Sequence, residues 1–217
     1  MDGPVFGVVG GSGGVGASTF AAVLAAVIGD AMLLDLDVMG GGIDVLLGIE
    51  GVPGARWSGL RVGSGRLDPG LLADGVPRWG AVPVLAADAT PDSAEAVAQV
   101  LGAASSFGPV VVDLGRSPNA QRAAALSRCA FVVLLAAAQV CGLTAARAVA
   151  HSLTGTPTGL VLRRGPVAPS VAAPMTGTAL VAVVPALSAP RERGIDARRP
   201  PRALARAAAG VLEGVKR

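Results

Sequence analysis

The feature that most constrains the fold is a glycine-rich stretch near the start of the chain. It lies between an apolar run at residues 5–9 and an apolar helical pattern at residues 18–28. A strand, a glycine loop and a helix in this order form a phosphate loop, G-x-x-x-x-G-K-[ST], whose backbone N–H groups hold phosphate oxygens at a helix N-terminus. The sequence therefore predicts a nucleotide site in this phosphate loop, which comprises Gly11, Ser12, Gly13, Gly14, Val15, Gly16, Ala17, Ser18 and Thr19.

The phosphate loop lacks the lysine of that pattern. Ala17 stands at the lysine position, whereas Ser18 keeps the hydroxyl that binds Mg²⁺ and Thr19 is a candidate phosphate contact. No Lys or Arg precedes Arg56, and the chain has one lysine, Lys216. We therefore expect the loop to hold ATP or ADP with Mg²⁺ and to hydrolyse ATP weakly, because the charge that stabilises the transferring phosphate is missing.

Three acids follow apolar runs that read as strands. Asp35 and Asp37 close the run at residues 32–36, and Asp113 follows three valines in the form of a Walker B strand. The carboxyl ends of parallel strands meet at one edge of a sheet, so these acids should lie beside the phosphate loop. Asp35 and Asp113 are candidate Mg²⁺ ligands together with Ser18, and Asp37 is a candidate for positioning water. Arg116 either replaces the missing lysine in cis or is an ordinary surface arginine.

Alternation of short apolar runs with helical patterns predicts an α/β fold. We expect a P-loop NTPase-like three-layer sandwich with a mostly parallel sheet flanked by helices, forming a single domain over residues 1–217. The predicted strands are residues 5–9, 32–36, 82–86, 110–114, 131–136, 159–162 and 180–184. The predicted helices are residues 18–28, 93–105, 119–127, 144–153 and 202–216, and the Gly- and Pro-rich residues 51–77 are predicted to be irregular.

Charge is distributed unevenly along the chain. Residues 191–217 carry eight bases against three acids, so this segment could meet nucleic acid or anionic lipid, or could form a helix with a solvated arginine face. Cys129 and Cys141 are not closely spaced and are expected to be reduced thiols, and His151 to be structural or exposed. The longest apolar run, residues 129–143, is too short to span a bilayer. No signal peptide is apparent, which predicts a cytoplasmic protein.

The phosphate loop resembles the deviant Walker A motif of the MinD/ParA ATPases, K-G-G-x-G-K-[ST], over residues 13–19. Residues 35–50 resemble the switch I region of that family. The run from Gly40 to Asp44, with Arg56 and Trp57 beyond it, is similar to the actinobacterial CpaE/TadZ-like branch, whose members are called septum-site-determining or secretion-neighbourhood CpaE-like proteins. The resemblance implies a nucleotide-dependent homodimer, recruited to a cell pole or septum with division proteins or with Tad/Flp pilus or secretion machinery.

Three positions depart from the family pattern. Ser12 replaces the signature lysine that reaches across the dimer, and Ala17 replaces the Walker lysine. Arg163 stands where such proteins often carry an asparagine that recognises the base, so it is a candidate nucleotide contact. The chain begins at the first strand, so we expect it to lack the receiver-like domain that CpaE-like proteins often have.

The departures favour a positioning protein with a weakened ATP site. One alternative is a slow ATPase that uses Asp37 and Arg116. A second is a ParA-like, DNA-associated partitioning protein that uses the arginine-rich C-terminal segment. The stripe formed by Leu204, Ala208, Val211, Leu212 and Val215 lacks the aromatic residues of a strong membrane anchor, so it is expected to pack on the domain, with membrane association indirect if it occurs.

Overall fold

A computed structural model of the chain describes residues 2–62, 67–186 and 195–215. The strands are β1 (Val5–Gly10), β2 (Met32–Asp35), β3 (Arg78–Trp79), β4 (Val82–Leu85), β5 (Val110–Asp113), β6 (Phe131–Ala137), β7 (Thr158–Arg163) and β8 (Ala179–Val184). The helices are α1 (Ala17–Ile28), α2 (Ile43–Leu47), α3 (Pro69–Gly75), α4 (Ala94–Phe107), α5 (Ala120–Leu126), α6 (Val140–His151), α7 (Pro169–Thr176) and α8 (Arg202–Val215).

The strands form one sheet in the order β3-β4-β2-β5-β1-β6-β7-β8. Neighbouring strands are parallel except for the short β3, which pairs antiparallel with β4 at one edge. The central strands are apolar and buried on both faces, as parallel strands covered by helices must be. The predicted three-layer α/β sandwich is therefore confirmed.

Each face of the sheet carries its own hydrophobic core. Along β5, Val110 and Val112 face the core made with α3, α4, α5, α6 and α7, whereas Val111 faces the core made with α1, α2 and α8. Successive residues of a strand point to opposite faces, so one valine run supplies both cores. This packing brings the carboxyl ends of β1, β2 and β5 together at one edge of the sheet.

All seven predicted strands and the five predicted helices are present, with bounds that shift by a few residues. The prediction that residues 51–77 are irregular is wrong in part, because they contain α3 and a 3₁₀ turn at Trp57–Gly59. Helix α3 had a readable start signal: the Asp68 carboxylate accepts from Leu71 N, and Pro69 occupies the first turn. Helix α2, helix α7 and strand β3 were also missed.

The apolar stripe of α8 packs on the domain, as predicted. Leu204, Ala208 and Val211 are buried against α1 and β8, and Leu212 and Val215 are half-buried at the margin of the same core. The eight bases of residues 191–217 divide into two groups. Arg198, Arg199, Arg202 and Arg206 are exposed, whereas Arg191, Arg193, Lys216 and Arg217 lie outside the described residues.

The sulfur and histidine side chains differ in their burial. Cys129 is half-buried, burial raises the pKa of its thiol to about 12, and Cys141 is exposed; both are free thiols. His151 is exposed at the end of α6. Over the described ranges, no cluster of three metal-ligating side chains is found, and no helix is long and apolar enough to cross a membrane.

Candidate functional site

A pocket of about 640 Å³ opens at the sheet edge where β1, β2 and β5 end. It is lined by residues 12–19 of the phosphate loop, by the acids Asp35, Asp37 and Asp113, by residues 39–43 together with Val45 and Leu46 after β2, and by Arg116. This volume is within the usual range of small-molecule sites, about 300–1,000 Å³. The tertiary structure thus brings together most of the side chains that the sequence nominated separately.

Gly11 is the member of the phosphate loop that lies outside the pocket lining. It is buried, its N–H donates to Leu135 O at 2.8 Å, and a Cβ at this position would lie 2.5 Å from the Cβ of Ala146 on α6. Glycine is therefore needed here so that the loop can pack against α6. The structure does not bring Gly11 to the ligand side of the loop.

The phosphate loop lines the pocket with residues 12–19. Gly14 and Gly16 adopt left-handed conformations with φ of 68° and 96°, and the Val15 side chain is buried beneath the loop. Over the part of the chain that the structure describes, the N–H groups of residues 13–18 have no hydrogen-bond acceptor. Free N–H groups in a glycine loop at the start of a helix are the donors with which such loops bind an anion, and they need no side-chain charge to do so.

Asp35 is held by the backbone around it. Its Oδ1 accepts from Asp37 N at 2.8 Å, and its Oδ2 accepts from Ile43 N at 3.3 Å and from Ala87 N at 3.4 Å. Burial raises the pKa of this carboxyl to about 6, and the three N–H donors oppose that rise. Both oxygens are thus already used to fix the segment that follows β2, and a metal ligand at Asp35 would have to share them.

Asp113 is the register partner of Asp35 across β2 and β5, and it is equally buried. Burial is the main reason that its pKa rises to about 7, the Asp35 charge adds to the rise, and the Ser18 hydroxyl opposes it. Its Oδ2 has no hydrogen-bond partner within the described residues. A buried carboxylate oxygen without a partner, beside a hydroxyl at the phosphate loop, fits a Mg²⁺ ion held by Ser18 and Asp113.

Asp37 and Arg116 both line the pocket. Asp37 is half-buried and packs against Gly115, where a Cβ would lie 3.2 Å from the Asp37 side chain. The guanidinium of Arg116 reaches the phosphate loop, because its Nη2 lies 3.5 Å from the place that a Cβ on Gly13 would take. Arg116 is exposed, as an ordinary surface arginine would be, and its guanidinium is also within reach of the phosphate loop.

Arg163 ends β7 and lies outside the pocket lining. Its Nη1 donates to Gly14 O at 3.1 Å, so it reaches the phosphate loop from the outer side. The resemblance implied a contact with a nucleotide base at this position, whereas the contact that the structure records is with the backbone of the loop.

The sequence reasoning missed the network that fixes residues 43–57 against the pocket. Arg56 forms an ion pair with Asp44 at 3.3 Å, and Trp57 Nε1 donates to Asp35 O at 2.7 Å. The remaining four guanidinium hydrogens of Arg56 meet backbone carbonyls, those of Ile49, Glu50, Val52 and Gly54. With all five donors used, Arg56 is unable to act as the cation that the phosphate loop lacks.

No protein-family model matches the chain. Two uncharacterized proteins, from two strains of Mycobacterium tuberculosis, are each 39% identical to it over 168 residues. The match covers 76% of this chain and 48% of each relative, so the chain spans about half the length of the curated relatives it matches.

Solved structures are similar over most of the chain. The MinC:MinD cell division protein complex of Aquifex aeolicus gives a TM-score of 0.74 at 15% identity, covering 97% of this chain and 96% of that one. The septum site-determining protein MinD of Pyrococcus horikoshii, complexed with Mg-ADP, gives 0.68 at 20% identity, covering 99% and 98%. A ParA family ATPase of Chlorobium tepidum gives 0.70 at 19% identity, covering 85% and 84%. At these identities the similarity establishes the fold, which is that of the MinD/ParA P-loop ATPases.

Proposed function

We propose that this chain is a MinD/ParA-like positioning protein whose site binds ATP or ADP with Mg²⁺ and hydrolyses ATP weakly. The observation that carries the proposal is the phosphate loop itself, which offers free N–H groups of residues 13–18 to a pocket but has alanine at the lysine position. Such a loop keeps the geometry for phosphate binding and loses a preorganised charge, which is worth about 10²- to 10³-fold in rate. Asp37 is the candidate for orienting water in the slow reaction.

Ser18 and Asp113 would hold the metal. When bound, Mg²⁺ supplies positive charge to the phosphate oxygens. The free Oδ2 of Asp113 would then gain a partner, and its buried charge would be neutralised. A MinD of the same fold has been solved with Mg-ADP, which supports this assignment by analogy.

Arg116 would partly replace the missing lysine. Its guanidinium lies at Gly13, on the side of the phosphate loop that faces the pocket. A charge-assisted contact to phosphate is worth about 1.5–3 kcal/mol, so Arg116→Ala should weaken Mg-ATP binding by about tenfold or more. Arg128→Ala is the matched control, because Arg128 is exposed just before β6, at the opposite edge of the sheet.

Isothermal titration calorimetry with ATP and ADP, each with and without Mg²⁺, tests the proposal directly. We expect Mg²⁺-dependent binding that falls on Arg116→Ala and is unchanged on Arg128→Ala. A turnover number typical of MinD/ParA ATPases would refute the weakened site. It would also exceed the rate that the slow-ATPase alternative predicts. Absence of nucleotide binding by the folded protein would refute the nucleotide site altogether.

The cellular role that we propose is cytoplasmic, at a cell pole or septum, through a nucleotide-dependent homodimer that contacts division proteins or Tad/Flp pilus or secretion machinery. Support comes from the fold, which is shared with MinD and ParA proteins. It also comes from the resemblance of the run from Gly40 to Asp44, with Arg56 and Trp57 beyond it, to the CpaE/TadZ-like branch. Light scattering of the purified protein with Mg-ATP and with Mg-ADP tests the dimer. A monomer with both nucleotides at saturating concentration would contradict it.

A second candidate function is DNA association. The observation that favours it is a row of exposed arginines at and before α8, Arg198, Arg199, Arg202 and Arg206. Binding of this kind would be sequence-independent and would weaken steeply as salt rises. Titration of nonspecific duplex DNA at two salt concentrations tests it, and binding that does not depend on salt would exclude this mode.

A further inference from the structure

We propose that Arg163 is a positioning residue that braces the phosphate loop at Gly14 and thereby turns the Val15 N–H toward the bound phosphates. This inference deepens the proposed nucleotide site and rests on it. Arg163 then contacts the backbone of the loop and not the ligand. The contribution of Arg163 to binding should therefore not depend on whether the ligand carries a nucleotide base.

The contact joins two parts of the sheet that are not neighbours. Arg163 is the last residue of β7, whereas the phosphate loop follows β1, and β6 lies between these two strands. The Nη1 of Arg163 donates to Gly14 O at 3.1 Å across 149 residues of sequence. The guanidinium therefore links Gly14 of the phosphate loop to β7, a strand that is not paired with β1.

Gly14 has few other contacts that could fix its conformation. Its φ of 68° is a conformation that glycine adopts without strain, the residue is exposed, and nothing lies within 4 Å of the place a Cβ would take. Val15, by contrast, is anchored, because its side chain is only 1% exposed. The peptide between Gly14 and Val15 is thus held at one end by the core and at the other by the arginine.

Holding the carbonyl also fixes the direction of the next N–H. The peptide is trans, so its C=O and N–H point in opposite directions. The Gly14 carbonyl is directed to Arg163, which lies outside the pocket lining, and Val15 belongs to that lining. The Val15 N–H, which has no acceptor within the described residues, is then directed to the pocket side.

A loop without a lysine depends more heavily on this preorganisation. With alanine at position 17, the binding energy for phosphate must come largely from backbone N–H groups, and these bind an anion well only when they already converge. Arg116 at Gly13 and Arg163 at Gly14 flank the loop from opposite sides, one facing the ligand and the other holding the backbone.

A ligand without a base separates the brace from a base contact. Mg-ATP and Mg-tripolyphosphate are titrated into the wild type, Arg163→Ala, Arg163→Lys and the control Arg164→Ala, whose exposed side chain is one residue further on. We expect Arg163→Ala to weaken both ligands by the same factor, about three- to tenfold, and Arg163→Lys to restore part of it. Loss of affinity for Mg-ATP alone would overturn the brace, as would no loss for either ligand.

Backbone dynamics supply a readout that requires no ligand. NMR order parameters of Gly14 and Val15 in the nucleotide-free protein are expected to fall in Arg163→Ala and to stay at the wild-type value in Arg164→Ala. Unchanged order parameters in Arg163→Ala would overturn the brace. If the wild type binds neither ligand, the proposed nucleotide site fails, whereas this measurement still decides whether Arg163 holds the loop.

Discussion

Replacing Asp113 with asparagine should stabilise the protein, and the gain should grow as pH rises. Asp113 is buried at the end of β5, and its Oδ2 has no hydrogen-bond partner within the described residues. Without a metal ion, the folded state therefore carries an uncompensated carboxylate once that group ionises. Asparagine has the same shape and no charge, so it removes this cost.

The magnitude follows from the pKa of about 7 in the folded state against 3.8 in an unperturbed carboxyl. Between these values the folded state keeps a proton that the unfolded state has released. The resulting stability is present at low pH and is lost as pH rises through 7. With about 1.36 kcal/mol per pKa unit, the wild type should lose about 2 to 3 kcal/mol relative to Asp113→Asn between pH 5 and pH 8.

The assay is urea unfolding of both proteins across this pH range, without nucleotide or Mg²⁺. Asp35→Asn is the matched control, since Asp35 pairs with Asp113 in register. Both of its carboxylate oxygens accept from backbone N–H groups, so an amide would set an NH₂ group against at least one of these donors. At pH 5 we expect this control to destabilise the protein by about 1–3 kcal/mol. The loss should be smaller at pH 8, because burial raises the pKa of Asp35 to about 6 and the wild type itself loses stability when Asp35 ionises.

Two results would refute the reasoning. One is a loss of stability on Asp113→Asn at pH 8, and the other is a difference from the wild type that does not change between pH 5 and pH 8. The stabilised variant should also lose Mg²⁺-dependent nucleotide binding, because asparagine lacks the carboxylate charge that would hold the metal. The wild-type residue would then be one that is kept for binding at a cost in stability.

Three further outcomes are expected. Ala17→Lys should tighten Mg-ATP binding by about tenfold or more, measured by calorimetry, since a charge-assisted phosphate contact is worth about 1.5–3 kcal/mol; unchanged affinity would mean that the pocket has no place for the added charge. Arg56→Lys, with three donors in place of five, should cost about 2 kcal/mol in urea unfolding, and a neutral result would contradict the role of Arg56 in fixing residues 43–57. Leu204→Ala should lower the free energy of unfolding by about 2–5 kcal/mol, because Leu204 is buried against the domain. Firm sedimentation of the wild type with anionic vesicles would contradict a purely packed α8 if deleting residues 202–217 abolished it without unfolding the protein.

Much of the architecture was readable because it depends on local periodicity. Apolar runs such as the valines before Asp113 predict buried strands, and a glycine loop before an apolar helix predicts the edge at which a ligand binds. The short elements escaped because a five-residue helix such as α2 has too few turns to show a period. Its position depends on Ile43 N meeting Asp35 and on the Arg56–Asp44 ion pair, contacts that span eight and twelve residues.

The sequence by itself determined the phosphate loop, its missing lysine, the acids at the strand ends and the alternation that builds a parallel sheet, since each is a pattern within a few consecutive residues. The tertiary structure alone decided how those residues divide the work. Asp35 and Asp113 look alike in sequence, yet backbone N–H groups occupy the oxygens of the first and leave Oδ2 of the second free. Arg116 and Arg163 reach the same loop from distant strands. A hydrogen-bond partner is chosen by proximity in space, and proximity across 149 residues exists only after the sheet has formed.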